Sequence, residues 1–261
     1  MFCRSYDYIV LDMKNLCRVL CFPSFDDICC RDRFRELVRL GITSIYSFGE
    51  ILLWNGVRVV GKGHSAVVVL AHHVEYGDIA LKIRRIDSKS ISLEYEGFIL
   101  RKARISFAPK VYMYSRDFLL REFVDGCTLE KFLEVYSHQP KVILKGFEYI
   151  LRGALELDLI GIDLVEISRP HKQIIYRCCN SSEPLFIDFE SAKISPRPLN
   201  ITKVINFLIK GSIENHRIRD ILRLNDDKVT RILELAKQYK KTIDRELRKR
   251  LVEEIVEILN K

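Results

Sequence analysis

Asp188, Lys82 and Glu96 are the residues of this chain whose types and spacing suit the handling of phosphates. Asp188 follows the apolar run Leu185-Phe186-Ile187 and precedes Phe189-Glu190. Its carboxylate is therefore expected at a strand end, where it can hold Mg2+ against the phosphates of a nucleotide. Lys82 closes Ile79-Ala80-Leu81-Lys82, which aims an ammonium at the same phosphates. Glu96 lies in a segment over 93–103 whose apolar residues Leu93, Ile99, Leu100 and Ala103 partly follow helical spacing, and from there it can hold the lysine in place. Glu94 competes for that role. Positions 94 and 96 stand about 200° apart around a helix, so only one of them can face Lys82.

Ahead of these stands Gly61-Lys62-Gly63-His64-Ser65-Ala66-Val67-Val68, in which two glycines and the small Ala66 allow a β-turn to close over phosphates. After the predicted strand Phe118-Leu119-Leu120 come Arg121-Glu122-Phe123-Val124-Asp125-Gly126 and then the amphipathic stretch Thr128 to Tyr136. A base such as adenine would be met by backbone groups of about Glu122, Phe123 and Val124, so side-chain identity carries no information there.

In this order the segments resemble the archaeal serine/threonine protein kinases that are distantly related to the atypical RIO and Bud32 kinases. The resemblance covers most of residues 35 to 205. It is carried by Gly61 to Ser65, Ala80 to Ser88, Glu96 to Leu100, Gly161-Ile162-Asp163 through Ser168-Arg169-Pro170, and Ile187 to Ala192. It implies an α+β, two-lobed protein-kinase-like fold with a small, mostly helical C-terminal lobe, and ATP and Mg2+ as cofactors bound between the lobes. The implied activity is that of an Mg-ATP-dependent atypical serine/threonine protein kinase or ATPase acting on a protein acceptor.

The departure lies in the catalytic loop. The group reads His-Gly-Glu-Leu-Ser-Arg-Pro there, which sets Leu164 to Pro170 opposite it and makes Glu166 the base candidate, with Leu164 in place of the histidine. Asp163 is the rival. An ordinary kinase carries asparagine five residues after its catalytic aspartate; here His171 stands five after Glu166 and Ser168 five after Asp163, so His171 is the expected metal ligand beside Asp188. Glu190 replaces the usual glycine, which stiffens the segment after Asp188 and adds negative charge near the metal. The degraded loop opens a second reading, a nucleotide-binding or RNA-associated scaffold that kept the fold without the activity.

The 261 residues are 48% hydrophobic, enough for a core larger than one small lobe needs. No apolar run long enough to span a membrane is present, and Arg4, Asp7, Asp12 and Lys14 interrupt the opening segment, so a cytoplasmic location is expected. The 43 basic residues exceed the 35 acidic ones, a balance that fits an RNA or ribonucleoprotein contact. Alternation with Asp244, Glu246, Glu253 and Glu254 favours a solvated helix face instead. The cysteines lack the Cys-x2-Cys spacing of a zinc site and are expected reduced and mostly buried, the alternative being a disulfide among those from Cys3 to Cys30.

Three regions are expected: an N-terminal extension over 1–34, an N-terminal lobe over 35–124 and a reduced helical C-terminal lobe over 125–261. Strands are predicted near Ser47-Leu53, Gly56-Gly61, Ala66-His72 and Asp78-Arg84, with a helix from Asp32 to Leu40. Gln173-Tyr176 and Leu185-Ile187 should form a hairpin.

Overall fold

The computed structural model describes residues 9–53, 56–213 and 216–261. Two compact units divide it. Of the described residues, one takes those up to Arg101 together with Pro109–Val124, the other Lys102–Ala108 with Asp125–Lys261.

The first unit opens with β1 (Ile9–Val10) and two helices, α1 (Met13–Leu20) and α2 (Asp27–Arg39). Each helix begins on an aspartate that satisfies a first-turn amide. Asp12 accepts from Asn15 N at 2.8 Å and Asp26 from Cys29 N at 2.6 Å. There follow β2 (Ile42–Ser47), β3 (Ile51–Leu52), β4 (Arg58–Val59), β5 (Gly61–Lys62), β6 (Ala66–His73), β7 (Gly77–Arg84), α3 (Glu94–Ala103), β8 (Val111–Tyr114) and β9 (Phe118–Glu122). Among the described residues the main sheet runs β1-β2-β6-β7-β9-β8, with β5 paired to β6. The register of β6 on β7 is unbroken, from Ala66 opposite Arg84 to His73 opposite Gly77.

The pleat sorts the side chains of β6 and β7. Val67, Val69, Ala71, Ile79, Leu81 and Ile83 are buried in one cluster with Val19 and Leu20 of α1 and Leu37 of α2. The alternate residues Ala66 and Leu119 pack instead with Leu93, at the start of α3. Residues 9–34, which the sequence sets apart as an extension, thus supply one layer of the same core, and α2 starts at Asp27, ahead of the predicted Asp32. The cysteines explain part of that packing and correct the expectation of reduced thiols: Cys17 is bonded to Cys30 and Cys21 to Cys29, joining α1 to α2.

In the second unit come β10 (Gly126–Thr128), α4 (Leu129–Val135), α5 (Pro140–Leu159) and β11 (Ile162–Asp163), then 3-10 turns at Val165–Ser168 and Pro170–Lys172. They are followed by β12 (Ile174–Arg177), β13 (Pro184–Phe186), β14 (Lys193–Ile194), α6 (Asn200–Lys210), β15 (Ser212–Ile213), β16 (His216–Arg217), α7 (Ile218–Ile221), α8 (Asp226–Lys241) and α9 (Arg245–Asn260). On α5, Ile143, Phe147, Ile150, Leu151, Ala154 and Leu157 make a buried stripe at helical spacing, against α6 and α9. β12 pairs with β10 and β13, and β11 with β14, all antiparallel. A disulfide joins Cys127 of β10 to Cys179, just after β12. No helix among the described residues is long and apolar enough to cross a membrane.

Candidate functional site

In the sheet unit, Lys82 lies on β7 opposite Val68 of β6 and Leu119 of β9. With Leu81 and Ile83 committed to the α1 and α2 side, Lys82 projects to the face that carries α3. There its ammonium donates to Glu96 Oε2 at 2.7 Å, and both side chains are at least nine-tenths buried. Gly97 is what lets α3 come so near: a Cβ at that position would overlap the Tyr114 ring of β8. Glu94 faces solvent and accepts from Ser92 Oγ at 2.8 Å. A buried lysine and carboxylate hold each other only while both stay charged, so the pair fixes an ammonium at one point of the sheet face.

The glycine segment forms a hairpin over β5 and β6, Gly61 opposite Val68 and Lys62 opposite Val67. The turn between them is closed by Gly63 N donating to Ala66 O at 2.8 Å. His64 is exposed at its tip while Ser65 is buried. Lys62 is exposed, with its Nζ 5.3 Å from the Phe22 ring centroid. Ala80, on the same face of β7 as Lys82, is buried. In the segment that ends the unit, Glu122 N donates to Lys110 O at 2.8 Å, Phe123 meets Phe48 edge to face at 5.8 Å, and Val124 is buried.

In the helical unit, Asp188 follows β13 and is half-buried, with Phe189 buried behind it. Its Oδ1 accepts from Glu190 N at 3.2 Å, so the carboxylate is turned toward the start of its own loop, and the Glu190 side chain is exposed. Glu166, in the first 3-10 turn, is also exposed and accepts from Gln173 Nε2 at 3.3 Å. Asp163 is bonded by Lys203 Nζ of α6, which also donates to Leu164 O at 2.9 Å. Of the two base candidates, therefore, one ends in an ion pair and the other meets a neutral amide.

His171, in the second 3-10 turn, is half-buried. Its ring packs on Phe207 with centroids 5.4 Å apart, and its Nδ1 is buried with no partner among the described residues. Gln173 is the polar residue that reaches Glu166, and Gln173 O also accepts from Ile187 N at 2.9 Å, one residue before Asp188. Counting five residues from Glu166 stops at His171, two short of Gln173, which follows the second 3-10 turn. Its position at the head of β12, beside the strand that leads to Asp188, was the available signal.

Behind the loop lies a polar cluster that no motif announced. Asn200, fully buried at the start of α6, accepts from Leu164 N at 2.8 Å and donates to Ile162 O at 2.7 Å. Asp158, at the end of α5, receives Asn200 N at 2.9 Å, Asn200 Nδ2 at 2.8 Å, Ile201 N at 3.3 Å and Tyr239 Oη at 2.7 Å. Burial pushes the Asp158 carboxyl up from 3.8 to about 6, against those hydrogen bonds and the charge of Arg248. Burial and the adjacent carboxylate together push Tyr239 up, which keeps its hydroxyl a donor.

The sign of the resulting pH dependence follows. Between about 4 and about 6 the folded chain keeps a proton on Asp158 that the unfolded chain has released, so raising the pH favours unfolding. The contribution is present below the unfolded value, is lost as pH rises to about 6 and stays lost above it. A side-chain amide at this position has no such proton to lose. The stability of wild type relative to Asp158→Asn should therefore fall by about 2 kcal/mol from about pH 4 to about pH 7. Chemical denaturation at several pH values measures it, and a pH-independent difference would rule the assignment out.

Comparison with known proteins decides the architecture. The autoinhibited serine kinase domain of the giant muscle protein titin superposes with a TM-score of 0.54 at 12% identity, over 77% of this chain and 80% of that one. The fold is that of a protein kinase. A structure of titin kinase with its flanking domains gives 0.56 at 12% identity, covering 85% of this chain and 48% of that longer one. No family model matches the chain, and no curated protein matches it by sequence. At that identity the likeness is one of kinase fold, and the chemistry has to be argued from the residues described above.

Proposed function

We propose that the chain is an Mg-ATP-dependent protein phosphotransferase of the atypical, RIO-like serine/threonine type. The observation that carries this reading is the buried Lys82–Glu96 pair at 2.7 Å, on a kinase fold and on the strand next to a glycine turn. A fold kept only as a scaffold has no physical need to bury that pair.

Lys82, held by Glu96, binds the α and β phosphates, and the Gly61–Ala66 turn closes over them with backbone amides. Backbone groups from Glu122 to Val124 hold the adenine. The donor set suits Mg2+, a hard cation taking oxygen ligands: Asp188 supplies a carboxylate and Gln173 an amide oxygen. When bound, the ion neutralises charge on the phosphate oxygens. Glu166 accepts the proton of a serine or threonine hydroxyl on the acceptor protein. Gln173 orients Glu166, and Lys203 with Asp163 fixes the backbone of the loop.

Wild-type protein should be stabilised by Mg-ATP by about 2.7 kcal/mol at a hundred times the Kd, and Lys82→Ala should lose that stabilisation. Thermal denaturation with and without nucleotide reads this directly. A wild-type protein that no purine nucleotide stabilises would overturn the proposal.

A further inference from the structure

The helices ahead of the sheet have no part in the phosphotransferase reading, yet they are built into the support of the glycine turn. Phe22, just past the end of α1, is 2% exposed. Two cations lie over its ring, Lys62 Nζ of β5 at 5.3 Å and the Arg85 guanidinium at 5.0 Å. Arg85 reaches the turn itself: Nη1 donates to Gly63 O at 3.0 Å, and its backbone N donates to Ser65 O at 2.8 Å. Asp87 grips the other side of the guanidinium with two bonds, at 2.8 and 2.7 Å, which sets the plane in which Nη1 points. The Phe22 carbonyl accepts from Ile86 N at 3.0 Å. Phe22, Arg85 and Gly63 therefore form one short path from α1 to the turn.

Phe22 adjoins Cys21, and its placement depends on how α1 is held. The Cys17–Cys30 and Cys21–Cys29 bonds fasten α1 to α2. Arg33 of α2 donates to Leu20 O, to Arg84 O at 2.7 Å and to Asp117 Oδ1 at 2.8 Å, which ties α2 to the end of β7. The path to the turn thus starts from a covalently closed pair of helices.

We propose that α1 and α2 form a thiol-responsive brace on the glycine turn, in which Phe22 and Arg85 are positioning residues for Gly63 and the two disulfides set how firmly they hold it. Opening the brace needs a dithiol reductant. Each disulfide takes up two electrons and two protons and becomes two thiols, while the reductant's dithiol closes to a disulfide. With the bonds open, α1 keeps its hydrogen bonds but loses the covalent closure next to Phe22, and the turn gains freedom. The turn covers a bound nucleotide both before and during transfer, so its loosening should raise the Kd for Mg-ATP more than it lowers turnover at saturation. That last consequence rests on the phosphotransferase reading.

Amide hydrogen exchange of residues 61–66, followed by mass spectrometry on nucleotide-free protein, tests the brace apart from that reading. Reduction with dithiothreitol and the substitution Arg85→Ala should each speed exchange there by about tenfold or more, the effect of losing one charge-assisted hydrogen bond. The β6 and β7 core should stay protected, and Arg85→Lys, which keeps a cation over Phe22, should recover part of the protection. Unchanged exchange at 61–66 under both treatments, or equal acceleration throughout β6 and β7, would overturn the brace. Measuring Mg-ATP affinity on the same samples separates the two ideas. A turn that loosens in a protein binding no nucleotide supports the brace and removes the phosphotransferase reading, whereas equal Kd in oxidised and reduced protein overturns their coupling.

Discussion

Glu166→Gln should cut turnover by about a hundredfold to ten-thousandfold and leave Mg-ATP affinity nearly unchanged, the range expected when a general base is removed. A base has to be free to come within hydrogen-bond reach of the attacking hydroxyl. Glu166 is exposed and receives a 3.3 Å bond from a neutral amide. Asp163 receives the Lys203 ammonium, which also bonds Leu164 O. Accepting a proton would break that ion pair, so Asp163→Asn should show mainly as lost stability, of about 1–3 kcal/mol, from a partly buried lysine left without its partner. An autophosphorylation assay on both variants decides between them. A dead Asp163→Asn beside an active Glu166→Gln reverses the assignment, and full turnover in both takes the base out of the loop and favours a nucleotide-binding scaffold.

Asp188→Asn is expected to be the most damaging single change to activity. On the proposed reading, loss of the carboxylate would remove the anchor for the divalent cation, worth several kcal/mol of charge stabilisation in the transition state, or about a thousandfold or more in rate. Nucleotide binding without metal should survive, because Lys82 and the glycine turn stand in the other unit. The measurement pairs a phosphotransfer assay in Mg2+ with nucleotide binding in a chelator. Equal activity in variant and wild type would remove Asp188 from the mechanism.

Much of the kinase fold was legible because its elements follow local rules. The strand signals of β6 and β7 are continuous, and two positions on α3 that differ by about 200° cannot both face Lys82, although the choice of Glu96 over Glu94 rests on the resemblance. What stayed hidden depends on distant partners. α1 and α2 are polar on one side and are completed by cysteines whose pairing no periodicity reveals. Asn200 and Lys203 act on a loop about forty residues upstream, through bonds of sequence separation 36 and 40. Gln173, which reaches Glu166, lies beyond the position that a count of five from the base picks out, after a 3-10 turn. Local pattern finds the strands and helices, and only the folded chain shows which polar groups meet.

The Asp158 cluster also bears on how this chain is made. The carboxylate at the end of α5 is joined to Asn200, 42 positions later, and to Tyr239, 81 positions later. A chain growing from the ribosome completes α5 and the loop at 162–164 well before it exports the hydroxyl that finishes their support. Until Tyr239 of α8 has emerged, that carboxylate lacks one of its donors, and Asn200 alone ties it to the loop. A stalled product ending short of Tyr239 would therefore carry the loop at 162–164 but lack the hydroxyl that completes the Asp158 cluster.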